Sequence, residues 1–104
     1  MIIIVEDNPH KAALILTTVD LKEPVYITSR QNDAINYIKT LFCFFTVYLD
    51  NELLQGDGVS VLKHLIYNMK HLIHKVVITT KSPYASELMS VMCKEHGISF
   101  EIMK

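Results

Sequence analysis

The spacing of apolar positions changes repeatedly along this chain, and each change marks the end of an element. Ile2 to Val5 is a short β-branched run with no helical spacing, which predicts a strand buried on both faces. Asn8 followed by Pro9 predicts a helix start: asparagine caps free N–H groups, and proline fits the first turn because its missing N–H costs nothing there. Ala12, Ile15, Leu16 and Val19 then recur on one helical face. Glu23-Pro24 breaks the pattern, and Val25 to Thr28 reads as a second strand. Asn32 or Asp33 opens a short helix carrying Ala34, Ile35 and Ile38.

Phe44 to Leu49, rich in aromatic and β-branched residues, predicts the third strand. A polar loop with Gly56-Asp57-Gly58 follows Asp50. From about Val59 a helix carries the stripe Leu62, Leu65, Ile66, Met69, Leu72 and Ile73, and Val76-Val77-Ile78 is a fourth strand. Ser82-Pro83 repeats the cap-then-proline start for a helix lined by Leu88, Val91 and Met92. Gly97 suits the left-handed residue just past its end. Ile98 to Met103 is a final strand. Five strands alternating strictly with four helices predict an α/β, doubly wound parallel sheet with right-handed crossovers, built as one domain over residues 1–104.

Composition narrows the class. At 104 residues, roughly 65% of the unfolded surface can be buried, enough for a core without staples. Half the residues are apolar, but none of the runs approaches a membrane span, and the start lacks a basic leader, so neither membrane nor secretion is expected. A formal charge of −1 with both signs scattered offers no footprint for nucleic acid. Cys43 and Cys93 read as reduced, buried small hydrophobes of a cytoplasmic protein.

Candidate chemistry lies where hydrophobic runs end on acids. The first strand stops at Glu6-Asp7 and the third at Asp50. In an open parallel sheet, sites lie outside the carboxyl ends of the strands, where strand order reverses. Carboxylates crowded there repel one another unless a cation sits between them. Thr79, Thr80 and Lys104 also fall at carboxyl ends. The set holds acids for a hard, oxygen-preferring cation, a carboxylate nucleophile, and a hydroxyl and an ammonium to meet a transferred phosphoryl group.

These residues resemble the receiver domains of two-component response regulators, over essentially the whole chain. Met1 to Asn8 is similar to the family's first strand and acidic pair, Leu49-Asp50 to its phosphoacceptor, and Asn51 to Gly58 to the loop that follows. Val77 to Thr80 resembles the fourth strand with its switch hydroxyl, and Gly97 to Lys104 the fifth strand running into the family lysine. The resemblance implies strand order 2-1-3-4-5 and a magnesium-dependent phosphoacceptor fed by a histidine kinase or a small phosphodonor. It implies Asp50 as acceptor, Glu6, Asp7, Asp50 and Glu52 around the metal, Thr79 or Thr80 as the switch hydroxyl, and Lys104 as the phosphoryl partner.

Departures from the family pattern carry their own expectations. Leu54 replaces the usual proline, which predicts a looser loop after Asp50. The fifth-strand position where the family carries an aromatic falls on Glu101 in one register and on Phe100 in the next. No fifth helix follows Lys104, so one sheet face is expected to be covered mainly by the first helix, leaving apolar surface for a homodimer or a protein partner. The chain also resembles the short, phage-type receiver-like domains that process cyclic phosphates, with Asn51 where that family tends to carry histidine. A third reading is a degenerate receiver that only binds protein. His64, His71 and His74 read as a solvated helix face and end, His10 as a candidate pocket residue, and Tyr84 as a candidate gate.

Overall fold

Three of the four helices start on a side-chain cap, which is why the strand-to-helix turns are short. A computed structural model of the chain describes residues 1–20 and 22–103; Leu21 and Lys104 lie outside the described residues. In chain order the elements are β1 (Ile2–Val5), α1 (Pro9–Leu16), β2 (Val25–Thr28), α2 (Gln31–Ile38), β3 (Phe45–Leu49), α3 (Gly58–Met69), a 3₁₀ turn (Lys70–Leu72), β4 (Ile73–Ile78), α4 (Pro83–Glu95) and β5 (Phe100–Ile102). Asn8, Asp57 and Ser82 cap α1, α3 and α4 by accepting N–H groups of the first turn. Arg30 offers α2 no such cap. The loop after Asp50 supplies it instead: Gln55 accepts Gln31 N–H on its carbonyl at 2.8 Å and Asn32 N–H on Oε1 at 3.0 Å.

The strands form one parallel sheet in the order β2-β1-β3-β4-β5. Strand order reverses between β1 and β3, the place where such sheets carry their sites. Side chains alternate between the two faces. Ile3, Val5, Val47, Leu49, Val76 and Ile78 pack beneath α2, α3 and α4 in the main core. Ile2 and Ile4 pack against Ala12 and Ile15 of α1 in a smaller one. Among the described residues α1 is the one helix on that second face. Its β4–β5 end carries a Lys75–Glu101 ion pair at 3.4 Å rather than a continuous apolar surface.

Four details differ from the sequence pattern. The helical stripe does not run to Ile73: α3 ends at Met69, and Ile73 begins β4 by pairing with Phe45 beside a register shift in β3. Phe44 lies outside β3 and is exposed. In α4, Ala85, Met89 and Cys93 recur every four residues on the core side, which turns Val91 outward. Cys43 sits exposed in the α2–β3 loop, whereas Cys93 is buried, and burial pushes its thiol up to about 11. No helix among the described residues is long and apolar enough to cross a membrane.

Candidate functional site

The register of the sheet puts the acids together. Val5 and Leu49 are direct partners, so Glu6 and Asp50 leave adjacent strands at the same level. Backbone bonds fix that level: Asp50 N–H donates to Val5 O at 3.0 Å, Thr79 N–H to Leu49 O at 3.0 Å, and Glu6 N–H to Thr28 O at 2.9 Å. Carboxylate oxygens of Glu6, Asp7 and Asp50 lie within 4.8 Å of one another. They line a cleft of about 320 Å³ with Glu52, Thr80 and Ser82. A larger hollow of about 420 Å³ at the opposite sheet edge, beside Phe44 and Tyr48, gathers no such carboxylate triad among the described residues.

Burial divides the three acids. Asp7 is exposed; Glu6 and Asp50 are buried. Asp50 Oδ1 accepts its neighbour's N–H, from Asn51, at 2.9 Å. Glu6 Oε2 accepts Asn8 N–H at 3.3 Å, while Glu6 Oε1 is buried with no hydrogen-bond partner among the described residues. Burial, then the adjoining Asp50 carboxylate, raises the Glu6 carboxyl to about 7. A buried carboxylate oxygen that accepts no hydrogen bond among the described residues and faces two more carboxylates fits a hard divalent cation such as magnesium, which takes oxygen ligands.

The remaining sequence candidates separate in space. Thr80 lines the cleft, and its Oγ1 accepts Ser82 N–H at 3.2 Å. Thr79 does not line it; its Oγ1 is buried without a partner among the described residues. Glu52 is exposed at the rim and its carboxylate stands outside the close triad. His10 and Tyr84 are exposed and do not line the cleft. Lys104 lies outside the described residues. In β5, Phe100 packs against the main core and Glu101 meets Lys75, so the facing matches an aromatic at Phe100.

Leu54 does not loosen the loop after Asp50. Its N–H donates to Ser29 O at 2.9 Å, a bond that proline, having no N–H, cannot make. Asn51 closes the same loop by accepting Gly58 N–H on its carbonyl at 2.8 Å and Val59 N–H on Oδ1 at 3.2 Å.

Lys11 is the functional candidate that the sequence pattern did not single out. Its Nζ lies 3.4 Å from Glu6 Oε1 and 3.8 Å from Asp50 Oδ1, and it donates to the Thr79 carbonyl. One signal was available. A lysine in the first turn of a helix sits at the wrong end of the helix dipole, and so is placed for some other reason.

No protein-family model matches the chain, and no curated protein matches it. Among solved structures it is similar to the bacteriophytochrome response regulator AtBRR: 27% identity, TM-score 0.71, with 97% of this chain and 79% of that one covered. Fold, strand order and this likeness define the chain as a receiver-like domain.

Proposed function

We propose that this receiver-like domain is a magnesium-dependent phosphoacceptor that takes a phosphoryl group on Asp50 from a histidine kinase or a small phosphodonor. The observation that carries the reading is the buried Asp50 carboxylate at the floor of a cleft, with oxygens of Glu6 and Asp7 within 4.8 Å. In the step, an Asp50 carboxylate oxygen attacks phosphorus. The bond from phosphorus to the donor's nitrogen or oxygen breaks, its electron pair leaves with the donor, and an acyl phosphate remains.

Glu6, Asp7 and Asp50 would hold the metal, with Glu52 at the rim. Magnesium, when bound, neutralises the carboxylates and the incoming phosphoryl oxygens together. The chain's own groups do the rest: Thr80 offers a hydroxyl at the cleft wall, and Lys11 supplies positive charge. By the family pattern Lys104 pairs with the phosphoryl group.

Intact mass after incubation with acetyl phosphate and magnesium tests the reading. One added phosphate, absent in Asp50→Asn, is the expected result. No adduct from acetyl phosphate or from a histidine kinase refutes it and leaves a receiver-like binding module.

A further inference from the structure

The acidic cleft contains its own cation. Lys11 stands in the first turn of α1, its N–H accepted by the Asn8 cap at 3.3 Å, so the backbone that carries it is fixed to the acidic end of β1. Its ammonium hangs over two of the three carboxylates at ion-pair distance, and among the described residues its one hydrogen bond goes to the Thr79 carbonyl just past β4. Glu6 Oε1, the nearer of the two carboxylate oxygens beside that ammonium, has no hydrogen-bond partner among the described residues. Lys11 therefore sits against the same oxygens that a divalent ion would use, held there by a third group that is not an acid.

We propose that Lys11 is the resident counter-cation of this cleft, competing with a divalent cation for Glu6 and Asp50. The inference rests on the metal half of the reading above and not on phosphate uptake. Two cations sharing one pair of carboxylates repel across a few ångströms of partly dry protein, so each weakens the other. Metal entry pushes the ammonium off Glu6 and Asp50 and takes the donor away from Thr79 O. Occupancy of the cleft is thereby felt at the start of the Thr79–Ser82 segment, through Lys11 as a positioning residue.

The test is Mn²⁺ titration by calorimetry, at low ionic strength, of the wild-type chain and of Lys11→Met and Lys11→Arg. Lys11→Met keeps an unbranched side chain one atom shorter and removes its charge; it is expected to bind Mn²⁺ about tenfold or more tightly than wild type. Lys11→Arg keeps the charge and is expected to stay within about threefold of wild type. Equal or weaker binding by Lys11→Met overturns the proposal, since a lysine that merely braces the fold or orders the carboxylates gives that result.

A second measurement needs no variant. The side-chain NMR signals of Lys11 and the amide of Thr80 in the wild-type chain are expected to shift together on Mg²⁺ addition, and a Lys11 signal indifferent to saturating Mg²⁺ also overturns it. If Mn²⁺ binds wild type and Lys11→Met as expected while acetyl phosphate leaves no adduct, the phosphoacceptor reading falls and this one stands.

Discussion

Gly58→Ala is the smallest change that reaches Asp50 through packing. A Cβ built on Gly58 falls 1.8 Å from the Asp50 carbonyl oxygen, 2.8 Å from its carbon and 2.9 Å from Met89 Cε. The Met89 methyl can swing aside, being the end of a flexible chain. The Asp50 carbonyl cannot, because it is backbone at the end of β3. The new methyl group lies ~1.6 Å inside ordinary contact, so either the start of α3 backs away or Asp50 does. If α3 moves, the 2.8 Å bond from Gly58 N–H to Asn51 O goes with it, at about 1 kcal/mol. Crowding adds about 1–3 kcal/mol, and the better helix propensity of alanine returns less than about 1. The net expectation is a loss of about 2–3 kcal/mol in urea unfolding followed by circular dichroism. A displacement of Asp50 on the order of 1 Å should also slow phosphate uptake by about a hundredfold. Gly97→Ala is the control: it is strained by a φ of +66°, meets nothing within 4 Å, and should cost about 1 kcal/mol with uptake unchanged. Gly58→Ala unfolding within about 0.5 kcal/mol of wild type, with normal uptake, would refute the reasoning.

Glu6 makes stability depend on pH in the opposite sense to a salt-bridged acid. Its carboxyl is raised from 4.5 to about 7 in the folded chain, so the folded state binds the extra proton. The associated stability is present below about pH 4.5 and is lost as pH rises through about 7, by on the order of 3 kcal/mol at most. In chelator, urea unfolding of wild type at pH 5 and pH 8 should show that decline and Glu6→Gln should flatten it; equal slopes would sink the assignment. Leu54→Pro, which restores the family residue, should destabilise by about 1–2 kcal/mol through loss of the bond to Ser29 O, and a raised urea midpoint would contradict the role given to that N–H. A thiol reagent at neutral pH should label Cys43 alone, because Cys93 is buried with its thiol pushed up to about 11. Rapid double labelling of the folded chain is the opposing outcome.

Alternating strand and helix periods, the cap-then-proline pairs at Asn8-Pro9 and Ser82-Pro83, and acids closing two apolar runs were all legible without coordinates. They depend on local chemistry: backbone periodicity, free N–H groups at a helix start, and the direction in which a strand delivers its last residue. Those facts led to the parallel sheet and to an acidic cleft at Glu6, Asp7 and Asp50. Other features depend on what another part of the chain brings near. Ile73 has the spacing of a helix residue and becomes a strand because Phe45 is there to pair with it. Thr79 and Thr80 are identical and adjacent, and only the folded backbone just past β4 buries one hydroxyl away from the cleft and leaves the other residue on its wall. Lys11 reads as one more surface cation until β1, β3 and β4 end side by side beneath it. Sequence by itself determined which chemistry could gather at the sheet's edge. The tertiary structure decided which cation stands among the carboxylates, because the contacts of Lys11 with Asp50 and Thr79, 39 and 68 positions away, follow from strand order and register, not from local spacing.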